Sequence, residues 1–295
     1  MKREEGTVLK HPAVRLLLSM MITGTIGVFR RFLPMSSAGL ACLRGLIGGT
    51  GLFLYVKLAG IRIEKPASDK QRIGMILGGI ALGINWILLF EAFNFTTVAK
   101  ATLCYYLEPT IVILLSPVLF QERLTRRRLF CAGVSLLGMI LVSGVLEGGA
   151  AAQDLKGIFY ALGAACFYAL VVIINKKTGP CDPWEKSIVQ LLSAAAVLVP
   201  YLLLRNEIPV IHNAQELILV LIIGLVHTGL AYALYFSSLP ALPAQTISLL
   251  SYIDPVTALF VSALFLGESL QPLAMLGAVM ILGAAILGER ENDSE

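Results

Sequence analysis

Charged residues are scarce in this sequence. Asp, Glu, Lys and Arg make up 14% of the 295 residues and apolar residues 57%, whereas a water-soluble domain has about 25% charged and roughly 45–50% apolar residues. So little polar material cannot cover a soluble globule. Apolar stretches recur from Leu16 to Leu287, and each approaches the ~20 residues that a helix needs to cross a bilayer. Because the stretches lack the alternation of barrel strands, the sequence predicts an integral membrane protein with helical spans.

The sequence also lacks the motifs of the common enzyme and metal-binding classes. It contains no HExxH, no GxSxG, no Walker loop and no GxGxxG that opens a helix after a strand. The five cysteines are an odd number without CxxC spacing, so we expect them to pack as small apolar residues. The net charge of +4 comes from basic residues in short loops, which membrane topology explains better than nucleic-acid binding. We therefore predict no metal, no cofactor and no nucleic-acid partner.

Ten apolar segments are separated by helix-breaking residues. The first segment continues into Arg30 and Arg31 without a small-residue cleavage site, so we interpret it as a membrane span rather than a signal peptide. We thus expect an all-α membrane protein with about ten transmembrane helices. The predicted spans are residues 14–32, 37–57, 73–93, 98–120, 129–146, 157–175, 184–204, 215–237, 244–266 and 270–288.

Basic residues are unevenly distributed between the two sides of the membrane. If the ten spans alternate in direction, 17 of the 23 Lys and Arg residues fall on the side that holds both termini, and four fall on the other side. Positive charge concentrates on the cytoplasmic side of membrane proteins. The sequence therefore predicts a multi-pass protein of the plasma (inner) membrane with both termini in the cytoplasm.

A segment of the first half is repeated in the second half. LCYYLEPTIVILLSPVLFQER, residues 103–123, aligns without gaps with LLSYIDPVTALFVSALFLGES, residues 249–269. A series of matches in the same order is typical of an internal repeat. We predict two homologous five-helix halves, residues 1–150 and residues 151–295. The matched pairs are Tyr106 and Tyr252, Glu108 and Asp254, Pro109 and Pro255, and Glu122 and Glu268.

Each half has an odd number of spans, so the second half must lie upside down relative to the first. The loop charges agree, because RLTRRR after Glu122 carries four arginines whereas SLQP after Glu268 carries none. Inverted repeats are the construction of secondary transporters, in which two halves generate states open to either side of the membrane. The architecture therefore predicts transport by alternating access.

The repeated segments resemble the signature of the EamA family in the drug/metabolite transporter superfamily. The flanking segments FTTVAKATL and LPAQTISLL are similar to the turn that precedes this signature. The resemblance covers nearly the whole chain and implies a ten-helix carrier with a central cavity. It implies no particular substrate, since relatives export amino acids, other metabolites or xenobiotics and some import. Asp254 stands where the second half of the family often has Glu.

Glu108 and Asp254 fall near the middle of spans 4 and 9. A charged carboxylate at this depth costs about 2.5–3.5 kcal/mol, so each acid must be protonated, paired or in contact with water. The proline that follows each acid lacks an N–H group and leaves the carbonyls of Tyr105 and Ser251 without helical partners. Acids and free carbonyls at broken helices are typical of substrate or proton binding. The alternative is a pair of kinked structural helices whose acids bond to neighbouring helices.

Two further charges lie in or next to these spans. Arg44 is surrounded by glycines in span 2, where it could bind a substrate carboxylate or neutralise Glu108. A structural ion pair is the alternative role. Lys100 opens span 4, and we expect it to pair with Glu91 across the preceding hairpin.

Aromatic and polar residues of spans 3, 4, 8 and 9 are candidates for a cavity wall. The paired tyrosines Tyr106 and Tyr252 are the strongest, because both stand beside the acids. His227 is better explained as an interhelical hydrogen-bonding residue than as a ligand, although it could titrate near neutral pH. We expect Glu122 and Glu268 to anchor loops. Together with Glu108, Asp254 and Arg44, the predicted substrate or coupling site comprises Tyr105, Tyr106, Tyr252, Trp86, Asn85 and His227, with Tyr235 as a further lining candidate.

These observations lead to one functional hypothesis and two alternatives. The hypothesis is a secondary active transporter, exporting rather than importing, for a small polar or amphipathic metabolite such as an amino acid, with proton antiport as the coupling. The alternatives are an intramembrane enzyme that uses Glu108 and Asp254 as an acid pair, and an exporter of xenobiotic cations. The expected partners are a small-molecule substrate, protons and the lipid bilayer, and the expected assembly is a monomer or a homodimer.

Overall fold

The computed structural model describes residues 11–64, 66–96, 98–142, 154–267 and 271–289, and these residues form helices joined by short links without any strand. A π-helix, Ile223–Leu230, and a 3₁₀-helix, Leu239–Ala241, flank the eleventh α-helix. The α-helices are α1 (Pro12–Gly24), α2 (Ile26–Arg30), α3 (Ser37–Leu58), α4 (Asp69–Phe95), α5 (Val98–Tyr105), α6 (Glu108–Phe120), α7 (Arg126–Val142), α8 (Asp154–Thr178), α9 (Pro183–Arg205), α10 (Ala214–Ile222), α11 (Ala231–Ser238), α12 (Ala244–Ser251), α13 (Ile253–Leu266) and α14 (Pro272–Glu289).

Within the described residues, eight helical segments are long and apolar enough to cross a membrane. They include the composite segments Pro12–Arg30, Lys100–Phe120, Ala214–Ala241 and Ala244–Leu266. The two remaining predicted spans are shorter helices, α7 with 17 residues and α14, whose apolar part is Pro272–Leu287. The prediction of an all-α membrane protein is therefore confirmed.

The two acids lie where a membrane span is interrupted. α5 ends before Glu108, which begins α6 immediately ahead of Pro109. α12 likewise ends before Asp254, which occupies the first turn of α13 ahead of Pro255. The breaks follow from the missing N–H group of each proline, which cannot bond to the preceding helical turn. Because the prolines are repeat mates, the same interruption occurs in both halves of the chain.

The predicted span 215–237 is not a regular helix, because α10 continues into the π-helix and then into α11. Gly48 of α3 lies against the backbone of Gly224 and Gly229. The Thr228 hydroxyl donates a hydrogen bond to the carbonyl of Ile223, five residues back, at 2.9 Å. Sequence periodicity does not reveal this wider turn, since the packing of α3 against it depends on the tertiary structure.

The packed interior is built around α1, α3, α4, α9 and α11. Its largest apolar cluster includes Leu16, Trp86, Leu191 and Tyr235, all at most 3% exposed. α4 packs along α8 and α9, and α1 packs along α11 and α13. The helices thereby leave a central space at the two helix breaks.

We call the end of the bundle at which α6 ends and α7 begins the arginine-rich face, because Arg126, Arg127 and Arg128 open α7. Because consecutive spans run in opposite directions, α14 begins at the opposite face. α7 and α14 pack together where the backbones of Gly138 and Gly277 meet. A side chain on either glycine would enter the partner helix.

We expect the loops that precede α7 and α14 to lie on opposite sides of the membrane. In sealed cells, an impermeant thiol reagent should label a cysteine introduced at Gln271 from outside, whereas Arg126→Cys should be labelled only after the inner side is exposed. The reason is the concentration of basic residues near Arg126. Labelling of both positions from the same side would contradict the inverted arrangement of the two halves.

We also expect Gly277→Val to lower the melting temperature of the purified protein, because its side chain would meet the Gly138 carbonyl and Leu141. Overpacking of this kind costs about 1–3 kcal/mol. Gly283→Val on the same helix is the matched control, since nothing lies within 4 Å of a Cβ atom there. Equal melting temperatures for the two variants would contradict close packing of α7 against α14.

Candidate functional site

A cavity of about 490 Å³ lies at the two helix breaks. This volume falls in the range of roughly 300–1,000 Å³ that is usual for small-molecule sites. Residues of both halves line it, from α1 to α6 and from α8, α11, α12 and α13. Six residues of the predicted site contribute to its wall, together with the lining candidate Tyr235: Arg44, Trp86, Tyr105, Tyr106, Glu108 and Asp254.

The two carboxyl groups have different surroundings although they are repeat mates. The Tyr106 hydroxyl donates to Asp254 Oδ2 at 2.9 Å. Glu108 is 4% exposed, and no described residue hydrogen-bonds or ion-pairs with its carboxyl group. Tyr252, the mate of Tyr106, instead donates to the Tyr106 carbonyl at 3.2 Å and lies 3.2 Å from the Thr110 hydroxyl. Glu108 is therefore the acid with unused hydrogen-bonding capacity.

Arg44 supplies a positive charge to the same cavity. Its guanidinium carbon lies 4.4 Å from the centroid of the Trp86 ring, a distance that gives a favourable cation–π contact. Its buried Nε atom has no hydrogen-bond partner among the described residues, and no described carboxylate is within salt-bridge distance. The contact with Trp86 holds the guanidinium in place and leaves its N–H groups available. The structure thus does not contain the Arg44–Glu108 pair that is one of the predicted arrangements.

Aromatic rings form much of the wall around the acids. The ring centroids of Tyr105 and Tyr168 are 5.8 Å apart, and those of Tyr168 and Tyr235 are 6.4 Å apart in a stacked arrangement. Tyr232 meets Trp86 edge-on with centroids 6.3 Å apart. This wall offers flat apolar surface and π-faces that favour cations and apolar groups.

Sequence reasoning did not identify four of the aromatic residues that line the cavity, namely Phe90, Phe93, Tyr168 and Tyr232. They belong to spans that are apolar all round, where periodicity does not show which side of the helix faces inward. For Tyr168 and Tyr232, the hydroxyl group could have indicated an inward position, because it is unfavourable in lipid unless it has a hydrogen-bond partner or water.

Three predicted site residues lie outside the cavity wall. Asn85 donates to the Ala164 carbonyl at 2.6 Å and joins α4 to α8. His227 Nε2 lies 2.8 Å from the Thr25 hydroxyl and joins the π-helix to the junction of α1 and α2. Tyr252 is fully buried and connects the two helix breaks. These residues hold helices together, which is the alternative considered for His227.

Two other charged residues of the sequence analysis have partners elsewhere. Glu91 accepts a hydrogen bond from the Tyr201 hydroxyl at 2.6 Å and lies 3.9 Å from Arg205 Nε. Glu122 contacts the start of α12, and Glu268 lies outside the described residues. Among the residues that the structure describes, no group of three or more His, Cys, Asp or Glu side chains is placed to hold a metal ion.

Comparison with known proteins identifies similar transporters and a solved structure with the same fold. Among curated relatives, the uncharacterized transporter YxxF of Bacillus subtilis is 28% identical over 276 residues, which cover 93% of this chain and 88% of that protein. The threonine/homoserine exporter RhtA of Escherichia coli is 26% identical over 279 residues, which cover 93% and 90%. Protein PecM of Dickeya dadantii is 27% identical over 267 residues, which cover 89% and 86%.

A solved crystal structure with 18% identity superposes with a TM-score of 0.82 over 94% of this chain and 96% of its own, which shows a shared fold. The model of the EamA-like transporter family matches this chain twice, over residues 13–144 and 155–288. The two matches cover nearly all of both halves, and the chain therefore belongs to the EamA-like transporter family.

Proposed function

We propose that this protein exports a small amphipathic metabolite that carries both a carboxylate and an ammonium group, such as an amino acid, in exchange for protons. Family membership makes the chain a transporter, and its relatives are named transporters, so the alternative of an intramembrane enzyme is wrong. The observation that carries the proposal is the cavity itself. Within the part of the chain that the structure describes, it holds Arg44 without an anionic partner and Glu108 without a cationic one.

A zwitterion would complement both of these groups. Its carboxylate would take up the free N–H groups of Arg44, which bind carboxylates in a bidentate arrangement. Its ammonium group would approach Glu108 and the π-face of Tyr105 or Tyr168. Its apolar part would lie against the remaining aromatic wall. RhtA, which is named a threonine/homoserine exporter, supports both the substrate class and the direction.

An exporter of xenobiotic cations is the second candidate. Two carboxyl groups and an aromatic wall favour organic cations, but Arg44 in the same cavity repels them. A thermal-shift panel of amino acids, amines and cationic drugs on the purified protein separates the two candidates, because a ligand that binds only the folded state raises the melting temperature. Stabilisation by amines and cationic drugs without any effect of amino acids would favour the second candidate.

Proton coupling is proposed from the position of Glu108. A carboxylate buried without a cationic partner carries a large desolvation cost, and protonation removes that cost. Arrival of a substrate ammonium group or of water would stabilise the charged form instead. Glu108 would therefore exchange a proton for substrate as the cavity changes its access. The division into halves at residue 150 and the cytoplasmic location of both termini complete the proposed alternating-access scheme.

We expect Glu108→Gln to abolish accumulation driven by a pH gradient in proteoliposomes while counterflow exchange persists, because glutamine keeps the size of the side chain but cannot release a proton. Glu64→Gln is the matched control, since Glu64 is exposed. Asp254→Asn should have the same effect only if both repeat mates carry protons. Accumulation by Glu108→Gln at the normal rate and with the normal pH dependence would assign coupling to another group.

We expect Arg44→Ala to raise the KM for export about tenfold or more, which corresponds to the loss of one or more hydrogen bonds to a charged group. Lys156→Ala should leave the KM unchanged, because Lys156 is exposed and contacts only the face of Phe95 in its described surroundings. The measurement is substrate uptake into inverted vesicles across a concentration series. Similar KM values for the two variants would show that Arg44 does not contact the substrate.

A further inference from the structure

Glu122 ties three helices together at the arginine-rich face. Glu122 Oε1 accepts hydrogen bonds from the backbone N–H of Ala244 at 2.8 Å and from Lys176 Nζ at 3.1 Å. Lys176 Nζ also donates to the Leu242 carbonyl at 2.7 Å. Both charged side chains are only 14–15% exposed. One carboxylate therefore connects the end of α6 in the first half with the end of α8 and the start of α12 in the second half.

Gln245 extends this cluster across the two halves. Its Nε2 atom donates to the Ser116 hydroxyl at 2.6 Å, and its Oε1 atom accepts from Arg128 Nη1 at 3.1 Å. The side chain of Gln245 is fully buried. We refer to Glu122, Lys176 and Gln245 with these partners as the latch.

An apolar layer lies next to the latch in the bundle. Val112 of α6, Ala169 and Val172 of α8 and Ala244 of α12 form a cluster in which each residue is at most 1% exposed. Water is excluded from a contact of this kind. Along α6 and α8, the layer lies between the cavity residues Glu108 and Tyr168 and the latch at the arginine-rich face.

The cavity extends toward the other face. Its outer lining includes Arg30, Phe93 and Val98, which belong to the ends of their spans that lie away from the arginine-rich face. In the described part of the chain, α6 packs along α12, whereas α5 does not pack along α13 to a comparable extent. The two ends of the inverted repeat thus differ, although their sequences correspond.

From this difference we propose that the Glu122–Lys176 pair of the latch is the gate at the arginine-rich face. The pair holds the carrier in the state whose cavity opens to the opposite face, and it separates when the cavity opens at the arginine-rich side. This inference rests on the proposed alternating access of the carrier. It assigns to Glu122 a role in conformational equilibrium, beyond the loop anchoring that the sequence suggests.

Thiol accessibility tests the gate without measuring transport. In a background with the five native cysteines replaced, Ala169→Cys reports on the apolar layer and Thr102→Cys reports on the cavity, which Thr102 lines. An impermeant maleimide is applied to intact cells and to inverted vesicles. In the parent protein, Thr102→Cys should react from the face opposite the arginines, and Ala169→Cys should react from neither face.

We expect Glu122→Gln to increase the labelling rate of Ala169→Cys from the arginine-rich face about tenfold, as the loss of one charge-assisted hydrogen bond predicts. Labelling of Thr102→Cys from the other face should decrease at the same time. Lys176→Met removes the same pair, and it should change the labelling rate of each reporter in the direction expected for Glu122→Gln. Lys177→Met is the matched control, because Lys177 is exposed on the same helix end, and it should change neither rate.

Parent-like labelling of both reporters in the folded Glu122→Gln and Lys176→Met variants would overturn the gate. Loss of the folded protein in both variants would assign the pair to stability and would overturn the gate as well. Shifted labelling in a protein that moves none of the solutes in the panel would leave the gate in place and reject the proposed substrate class instead.

Discussion

Backbone polar groups have no water to bond with in the hydrocarbon core of a membrane, and the arrangement of the cavity follows from that constraint. Pro109 and Pro255 interrupt two spans in the middle of the bundle, which frees carbonyl groups at a depth where lipid cannot satisfy them. Beside the carbonyl of Tyr105, which Pro109 leaves without its helical donor, the Tyr106 carbonyl accepts a hydrogen bond from Tyr252 of the other half. The breaks are therefore tolerated only because each faces the other and a cavity that contains polar groups.

The positions of the helix breaks could be predicted because their cause is local. A proline removes one donor at a known position, and an acid beside it in an apolar span is costly anywhere in the bilayer. The grouping of Glu108, Asp254 and Arg44 around one cavity follows from the repeat and from the cost of isolated charges. For these residues, the missing N–H group of proline and the cost of burying a charge are enough to predict their place in the fold.

The aromatic wall and the latch could not be predicted in the same way. Whether Tyr168 or Tyr232 faces the cavity depends on how each uniformly apolar helix is rotated, and no polar stripe marks that rotation. The placement of His227 and Asn85 in helix contacts depends on carbonyl and hydroxyl groups that only the packed bundle brings near. Likewise, the bond between Glu122 and the start of α12 joins residues of different halves, so the repeat predicts a glutamate at a helix end but not its partner.

The π-helix at Ile223–Leu230 has a consequence for the aromatic wall. A regular α-helix turns about 100° per residue, whereas a π-helical turn holds more residues, so the segment that follows is rotated relative to an uninterrupted helix. That following segment is α11, which carries Tyr232 and Tyr235 into the cavity. The direction in which both rings point is thus set by the number of residues in the π-helical turn, which ends before either tyrosine. A relative that lacks one residue in this turn would present a different face of the same helix, and hence a differently shaped cavity, without any change in its lining sequence.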